Sequence, residues 1–364
     1  MVDSTEIFER GKGYPMSHFF ITGHTGFKGA WATMLLSTLG HEVSGFALEP
    51  DEESLFNRAD VGTKLSQDIR GDIRDQNQLI SAMKTIKPDY VLHFAAQALV
   101  LEGYRQPRYT YETNVIGTLN VLEATAATDS VRAQLIVTTD KVYRNQGLSQ
   151  TFCENDPLGG KDPYSASKAA ADLLAQERLK SADSKPGAIA RAGNVIGAGD
   201  YAKNRLLPDL VRAVQANTSI AVRSPKATRP WQHILDCLNG YLTLLQAIEI
   251  KDASGPWNFG PGATSSKSVS DVLEISKNIV NFTISRPDSA SVNLAEEPFL
   301  SLDSSKARES LNWQDYIDLN TGIAWSLIEV LESKNFNLTH AIESQISQFL
   351  ERREEGHWKH VGST

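Results

Sequence analysis

The sequence predicts an α/β fold in which a doubly wound parallel sheet carries a smaller mixed α/β lobe. Over roughly the first half of the chain, short apolar runs of strand character alternate with helical patterns, as is typical of parallel sheets built from βαβ units. A glycine-rich turn joins the first of these runs to the first helix. Polar or small residues then recur where strands end, and in an open parallel sheet these ends share one edge, where ligands bind.

The composition is that of a globular protein. At 364 residues, with 41% hydrophobic and 22% charged residues, the chain can bury a large core. A net charge of −8 disfavours nucleic acid and membrane surfaces as partners. The two cysteines are too few for a disulfide framework, and no apolar run approaches the roughly 20 residues of a membrane span. Residues 1–16 lack a signal-peptide pattern, so we expect a cytoplasmic protein, and we predict no metal ligands.

The first strand, turn and helix form a specific local signal. Residues 18–22 read as a buried strand, GHTGFKG follows at 23–29, and residues 30–39 have a helical pattern. In such a unit the first glycine makes the turn, the second admits a pyrophosphate, and the third lets the helix pack on the strand. The alternative is a glycine-rich turn without a ligand, but the order strand, turn, helix favours a dinucleotide site. Its predicted cofactor-binding residues are Gly23, Thr25, Gly26, Phe27, Lys28 and Gly29.

The next strands add the adenosine side of that site. Residues 43–48 predict a second strand, and Glu49 at its end can accept hydrogen bonds from ribose hydroxyls and repel a 2′-phosphate, which favours NAD over NADP. The alternative is an ordinary loop carboxylate. Further strands are predicted at 68–74, 90–94, 188–191 and 257–260, with helices at 76–87 and 109–127. The other predicted cofactor-binding residues are Asp72, Ile73, Phe94, Ala95, Ala96, Gln97 and Asn114.

Residues 135–168 are the centre of the prediction. A strand at 135–137 ends in the polar residues Thr139, Asp140 and Lys141. A helix that begins at Pro163 carries Tyr164 and Lys168, which are four residues apart and share one face. Because an ammonium favours a neighbouring phenolate, the pair is a candidate proton shuttle. The alternative is a solvated Tyr/Lys pair without a role, and the dinucleotide turn upstream argues against it.

The second half of the chain loses the strand–helix alternation. Basic side chains appear there although the chain is acidic, at Lys203, Arg205, Arg212, Arg223, Lys226 and Arg229. Such a cluster suits a phosphorylated substrate, and the alternative is a set of solvated surface charges. We predict a loosely attached extension at 1–16 and a dinucleotide-binding domain at 17–193 with a return segment at 233–262. A substrate-binding lobe at 194–232 and 263–330 and a helical tail at 331–364 complete the prediction.

With these motifs in view, the chain resembles the extended short-chain dehydrogenase/reductase superfamily over about residues 17–325. The matching segments are GHTGFKG at 23–29, TTDKVY at 138–143, DPLGG at 156–160, DPYSASK at 162–168, RAGNVIG at 191–197 and ATRPWQH at 227–233. Within the superfamily it is most similar to the 4,6-dehydratases that act on CDP-glucose. Lys141, where most nucleotide-sugar dehydratases have Glu, and the segment ATRPWQH are the selective matches.

The resemblance implies an NAD-binding Rossmann domain, NAD as cofactor and CDP-glucose as substrate. Tyr164 as phenolate would take the proton of the sugar 4-hydroxyl, with Lys168 lowering the tyrosine pKa and Thr139 orienting the phenol. Asp140 would protonate the departing 6-hydroxyl, and Lys141 would remove the C5 proton. An ammonium with a pKa near ~10.4 must first lose its proton to do so, and the alternative roles of Asp140 and Lys141 are structural. The implied substrate-binding residues are Gln97, Asn194, Arg205, Arg229, Trp231 and His233.

The resemblance also implies a homodimer that pairs the helices of Tyr109 and Tyr164, and a place in deoxysugar formation for lipopolysaccharide O-antigens. Three segments depart from it: QALVL at 97–101 replaces a stretch with Pro and Arg, AGDY at 198–201 replaces GGDW, and Phe152 with Cys153 stand where an aromatic usually lies nearer Glu154. An epimerase or reductase of a sugar nucleotide is the second hypothesis, but it needs no acid–lysine pair. A catalytically silent nucleotide-binding protein is the third.

Overall fold

The computed structural model describes residues 16–147, 150–251, 253–262, 266–285, 299–332 and 336–361. Apart from Met16, the extension predicted for 1–16 lies outside these residues. Seven strands form the main sheet: β1 (His18–Thr22), β2 (Glu42–Ala47), β3 (Gln67–Arg70), β4 (Tyr90–His93), β5 (Ala133–Val137), β6 (Gly187–Ala192) and β7 (Gly255–Phe259).

The main sheet is parallel and doubly wound, which confirms the predicted fold class. Its strand order is β7-β6-β5-β4-β1-β2-β3, and each of these neighbouring pairs is parallel. The chain runs outward from β1 to β3 and then returns to place β4 beside β1. The strand order therefore reverses between β1 and β4, and such a switch point opens a crevice at the carboxyl ends of the strands.

The helices that bear on this crevice begin and end close to the predicted limits, with two differences. The first helix, Phe27–Thr38, starts earlier than residue 30 because Gly26 is its N-cap residue and the last glycine of the turn lies inside the helix. The helix predicted at 109–127 is three consecutive segments, Pro107–Tyr111, a π-helical turn Glu112–Ile116, and Gly117–Ala126. Such π turns often occur at functional sites. The other large helices against the sheet are Gln76–Ile86, Pro163–Arg178 and Ile234–Lys251.

The lobe is built from short elements. Strand Thr228–His233 pairs in parallel with Asn194–Ile196 and antiparallel with Ser266–Ser268, and two two-stranded ladders join Ile220–Ala221 to Ile284–Ser285 and Thr151–Phe152 to Ser301–Leu302. The remaining helices are Leu55–Arg58, Val61–Lys64, Val100–Arg105, Asp140–Val142, Leu206–Gln215, Val269–Lys277, Ser305–Leu311, Leu319–Ser326 and Ile328–Leu331. Helix Leu338–Val361 follows, and its Leu338, Ile342, Ile346 and Phe349 are buried in the main core. The domain boundaries stay predictions.

A buried ion pair lies beneath the carboxyl ends of β5 and β6. Arg191 donates from Nε and Nη2 to the carboxylate of Asp172, at 2.9 and 2.6 Å, and neither residue is exposed. Asp172 also accepts a hydrogen bond from Thr138 Oγ1, at 2.8 Å, and Arg191 Nη1 donates to the hydroxyl of Tyr143. The pair therefore holds the helix of Tyr164 and Lys168 against the ends of these two strands.

We expect the substitution Asp172→Asn to lower the free energy of unfolding by about 3–5 kcal/mol, because it leaves the Arg191 charge buried without its partner. Urea denaturation followed by circular dichroism measures the change. Glu274→Gln is the matched control, since Glu274 forms an exposed pair with Lys277, and pairs of that kind contribute about 0–1 kcal/mol. Equal effects of the two substitutions would contradict this account of the buried pair.

Candidate active site

A cleft of about 530 Å³ opens at the carboxyl ends of the parallel strands and extends to the lobe. Twenty of the residues singled out in the sequence line this one cleft. They are Gly23, Thr25, Gly26, Phe27, Lys28, Gly29, Asp72, Ile73, Phe94, Ala95, Ala96, Thr139, Asp140, Lys141, Tyr164, Lys168, Asn194, Arg205, Arg229 and Trp231.

The glycine turn leaves room for a pyrophosphate at the N-terminus of helix Phe27–Thr38. Gly23 has a φ of +79°, and a Cβ there would lie 2.6 Å from the backbone nitrogen of Ala95 at the end of β4. At Gly29 a Cβ would lie 2.2 Å from the Gly23 carbonyl oxygen, so only hydrogen fits between helix and turn. The first turn of this helix contains no acidic side chain. The exposed backbone N–H groups and the helix dipole therefore suit a dinucleotide phosphate.

We expect Gly29→Ala to weaken NAD binding about tenfold or more, because backbone must move to admit the methyl group and overpacking of this kind costs about 1–3 kcal/mol. Titration calorimetry with NAD measures the effect. Gly262→Ala is the control, since nothing described lies within 4 Å of its added Cβ. Unchanged NAD affinity in Gly29→Ala would show that the turn does not bind the cofactor.

Lys28 projects from the turn into the cleft. Its Nζ donates a hydrogen bond to the hydroxyl of Tyr241, at 3.3 Å. Burial lowers the pKa of Lys28, and the Arg205 cation acts in the same direction, while Cys237 and Asp140 oppose it. The Lys28 ammonium group at the glycine turn is therefore close enough to Asp140 for each group to affect the pKa of the other.

Tyr164 and Lys168 lie together on the buried face of helix Pro163–Arg178. Burial raises the pKa of Tyr164 to about 12; a hydrogen bond with Thr139 lowers it, Asp140 raises it and Arg205 lowers it. Lys168 donates from Nζ to the Val137 carbonyl, at 3.0 Å, and burial lowers the pKa of this lysine to about 8. Thr139 and Arg205 are thus groups that lower the tyrosine pKa here, and the predicted effect of Lys168 stays a prediction.

We expect Thr139→Val to move the pH dependence of turnover to higher pH. The hydrogen bond with Thr139 lowers the pKa of Tyr164, so its loss raises that pKa and leaves less phenolate at neutral pH. The rate then falls at neutral pH and recovers in more alkaline buffer. Thr139→Ser keeps the hydroxyl and should retain the wild-type pH profile. A lower rate with no shift along the pH axis would contradict this role.

Asp140 is buried at the end of β5, next to Lys141. Its Oδ1 accepts a hydrogen bond from Thr139 Oγ1, at 3.0 Å, whereas its Oδ2 has no hydrogen-bond partner among the described residues. Burial raises the pKa of Asp140, although Lys141, Thr139 and nearby cations oppose the shift. The carboxyl group is therefore suited to carry a proton, and its unpartnered oxygen is available to a ligand.

The lobe contributes the other wall of the cleft. Arg205 Nη1 donates to Asp200 Oδ2, at 3.0 Å, and the cation lies near enough to Tyr164 to affect its pKa. Arg229 is buried and lowers the pKa of Asp140. Trp231 donates from Nε1 to the Lys267 carbonyl, at 2.9 Å. In the parallel ladder Trp231 is paired with Asn194, so these two residues occupy one level of the wall.

Four predicted site residues lie outside the lining. The carboxylate of Glu49 is 78% exposed and lies 3.4 Å from Arg70 Nε on the neighbouring strand. Gln97 and Asn114 bond to each other through the backbone of Gln97, so they position the loop after β4 instead of facing the cleft. His233 is buried, and its ring lies against those of Trp31 and Trp325.

Three residues near or in the cleft escaped the sequence prediction. Gly193 lies where a Cβ would come 2.5 Å from Pro230 and 3.0 Å from the Asp140 carboxyl, so a side chain there would displace the acid. Asp200 lines the cleft and binds Arg205, and Tyr241 binds Lys28 from a distant helix. Gly193 lies in the segment RAGN at 191–194 and Asp200 in GDY at 199–201, so the sequence offered a signal for these two residues. Nothing local in the sequence indicates that Tyr241 contacts Lys28.

Comparisons with known proteins show which family the chain resembles. The family model described as "NAD dependent epimerase/dehydratase family" matches residues 19–260. The CDP-glucose 4,6-dehydratase of Salmonella typhimurium strain LT2 is 38% identical over 323 residues, covering 86% of this chain and 88% of the relative. The dTDP-D-glucose 4,6-dehydratase of Bos taurus is 30% identical over 256 residues, covering 69% and 62%.

Solved structures share the fold. A dTDP-glucose 4,6-dehydratase from Bacillus anthracis strain Ames in complex with NAD has a TM-score of 0.72, with 21% identity, 86% of this chain and 96% of that chain covered. A UDP-glucose-4-epimerase from Stenotrophomonas maltophila with bound NAD has a TM-score of 0.74, with 20% identity, 86% of this chain and 98% of that chain covered. At these identities the likeness concerns the fold.

Proposed function

The chain belongs to the NAD dependent epimerase/dehydratase family, and we propose that it is a CDP-glucose 4,6-dehydratase. The relative from Salmonella typhimurium, similar over most of both chains, supports the choice of substrate. The observation that carries the proposal is that the buried Asp140 and its neighbour Lys141 line the same cleft as Tyr164 and Lys168. An enzyme that only oxidises or inverts C4 needs the tyrosine and lysine but no second acid.

The cofactor fits the glycine turn described above, and bound NAD would accept a hydride from sugar C4 and return it to C6. The residues that would hold it are those of 23–29, with Asp72 and Ile73 beside the adenosine and Lys168 on the nicotinamide side. Tyr164 as phenolate would take the proton of the 4-hydroxyl as C4 is oxidised. Because Thr139 and Arg205 lower the pKa of Tyr164, both would favour that phenolate.

The acid–lysine pair would then perform the elimination. A ketone at C4 makes the C5 proton acidic, and Lys141 in its neutral form would remove it. Asp140 would give its proton to the 6-hydroxyl, which leaves as water when the C6–O bond breaks and the C5–C6 double bond forms. The raised pKa of Asp140 supports this role, because the acid must hold its proton until the hydroxyl leaves.

We assign the nucleotide end of the substrate to the lobe wall. Arg229 is suited to bind the pyrophosphate with its planar fork, and Arg205 supplies a second cation. Asn194 and Trp231 stay predicted contacts of the substrate. Glu49 stays a predicted ribose contact of NAD, with Arg70 beside it.

A product assay tests the proposal. The protein with a catalytic amount of NAD is incubated with CDP-glucose, dTDP-glucose, GDP-hexose and UDP-glucose separately, and the products are analysed by mass spectrometry. We expect CDP-glucose to lose one water and to give the 4-keto-6-deoxy chromophore in alkali. Inversion at C4 without water loss would favour the epimerase hypothesis, and turnover no greater than that of Tyr164→Phe would favour the catalytically silent one.

We propose that two copies of the chain associate through the helices of Tyr109 and Tyr164. Apolar side chains are exposed on this face, among them Leu173 at 55% and Ile116 at 48%, and exposed patches of this kind often mark interfaces. The matching faces of two copies would form a four-helix contact. Light scattering of Leu173→Glu tests it: a dimer in the wild type and a monomer in the variant are expected, and a monomeric wild type contradicts the proposal.

Two further predictions concern the cell. Within the described ranges, no helix is both long and apolar enough to span a membrane. The cysteines Cys153 and Cys237 are free thiols, which supports the reducing cytoplasm as the proposed location. Use of the product in O-antigen deoxysugars stays a prediction.

A further inference from the structure

The cleft residues Asp200 and Arg205 lie on one short segment, 199–205, whose anchor is outside the cleft. Asp200 accepts from Arg205 Nη1, at 3.0 Å, and from the backbone N–H of Ala202, at 3.1 Å, and its side chain is 6% exposed. The segment can aim Arg205 only if its own backbone is held in place.

Glu329 holds that backbone on both sides of Asp200. Its Oε1 accepts from the N–H of Gly199, at 3.0 Å, and its Oε2 accepts from the Tyr201 hydroxyl, at 3.1 Å. The side chain is 3% exposed. Gly199 has a φ of +77°, and a Cβ there would lie 2.4 Å from Leu55 Cδ1. The segment therefore packs closely against the cofactor domain at Gly199.

Arg58 completes the anchor from the opposite domain. It forms an ion pair with Glu329, and its guanidinium lies 4.0 Å from the centre of the Tyr201 ring. Arg58 comes from helix Leu55–Arg58 beside the main sheet, whereas Glu329 comes from helix Ile328–Leu331 at the end of the lobe. Neither residue lines the cleft. A mostly buried charge pair therefore joins the two halves of the molecule directly behind the segment of Arg205.

We propose that Glu329 is a positioning residue for the nucleotide sugar: it holds segment 199–205 so that Arg205 faces the diphosphate. This inference rests on the proposed function, since it requires that Arg205 contacts the substrate. Loss of the anchor lets the Arg205 guanidinium move, and displacements of about 1 Å in binding groups can cost up to about a hundredfold. The cofactor turn lies elsewhere in the cleft, so NAD binding does not depend on the anchor.

The test compares Glu329→Gln with Glu343→Gln in the full chain. Glu343 forms the exposed pair with Lys64, at 2.8 Å, and likewise connects the C-terminal region to the cofactor domain. We expect Glu329→Gln to raise the Kd of CDP and the KM of CDP-glucose about tenfold, with the Kd of NAD unchanged. Glu343→Gln should change none of these. Tyr201→Phe removes one donor to Glu329 and should shift KM in the same direction, which keeps the test usable if Glu329→Gln does not fold.

A double-mutant cycle separates positioning from general destabilisation. If Glu329 acts through Arg205, the substitution Glu329→Gln adds nothing to the CDP affinity of Arg205→Met. Additive losses, or equal weakening of CDP and NAD, overturn the inference, as does an unchanged Kd of CDP in a folded Glu329→Gln protein that otherwise turns over CDP-glucose. A wild type that binds no CDP overturns the proposed function, and the inference with it.

Discussion

Tyr164→Phe should lower kcat for CDP-glucose by about 10²- to 10⁴-fold, because the substitution removes the group that takes the 4-hydroxyl proton in the first step. Burial already raises the pKa of this phenol to about 12, and no other phenol in the described cleft is hydrogen-bonded to Thr139. The variant should also lack the rise in rate with pH that ionisation of Tyr164 gives the wild type, since phenylalanine cannot titrate. Initial rates of product formation between neutral and alkaline pH measure it.

The control for this substitution is Tyr104→Phe, which removes a hydroxyl from a half-exposed tyrosine outside the cleft lining. It should retain the wild-type rate. Tyr164→Phe should also retain the melting temperature and the Kd of NAD, which separates loss of the proton acceptor from loss of the fold. A Tyr164→Phe enzyme with close to the wild-type kcat would mean that another group removes the 4-hydroxyl proton.

Asp140→Asn should stop the reaction after C4 oxidation. The amide is close in size to the carboxyl group but has no acidic proton for the 6-hydroxyl, so water loss should slow by about 10²- to 10⁴-fold. In D₂O the variant should still exchange the C5 proton through Lys141, and mass spectrometry should find deuterated sugar that retains its oxygen at C6. In the wild type, dehydration should slow as the pH rises through the raised pKa of Asp140, because the acid is then ionised.

Lys141→Met separates the two members of the pair. It should lose both C5 exchange and dehydration, whereas Asp140→Asn loses dehydration alone. If Asp140→Asn dehydrates CDP-glucose at the wild-type rate, the acid is another group. If Lys141→Met still exchanges the C5 proton, the base is another group, while the role of Asp140 is unaffected.

Local pattern was sufficient to predict the glycine turn and the shared face of Tyr164 and Lys168. A glycine turn between a strand and a helix has one backbone geometry, and residues four apart on a helix share a face whatever surrounds them. Gly23, Gly29, Tyr164 and Lys168 could therefore be assigned from spacing. The ends of β4 and β5 followed from the parallel topology, which brings all carboxyl ends to one edge.

Side-chain direction and contacts between distant segments were not predictable in this way. The motif ATRPWQH placed Trp231 in the cleft wall but could not indicate that His233, two residues later, is buried with its ring against those of Trp31 and Trp325. Gln97 and Asn114 were assigned to the cofactor, yet their amide groups bond to the loop that they support. The packing of other chain segments decides these cases.

The sequence by itself determined the parallel fold, the glycine turn and the set of candidate side chains, because each was predicted from patterns among neighbouring residues. Only the tertiary structure decided which side chains are buried and what surrounds them. Burial raises the pKa of Asp140, and one of its oxygens has no hydrogen-bond partner in the part of the chain that the structure describes. Residues far apart in the chain, Arg58 and Glu329, meet behind segment 199–205. Desolvation and contact energies depend on which groups are close in space, and this cannot be read from how far apart the residues are in the sequence.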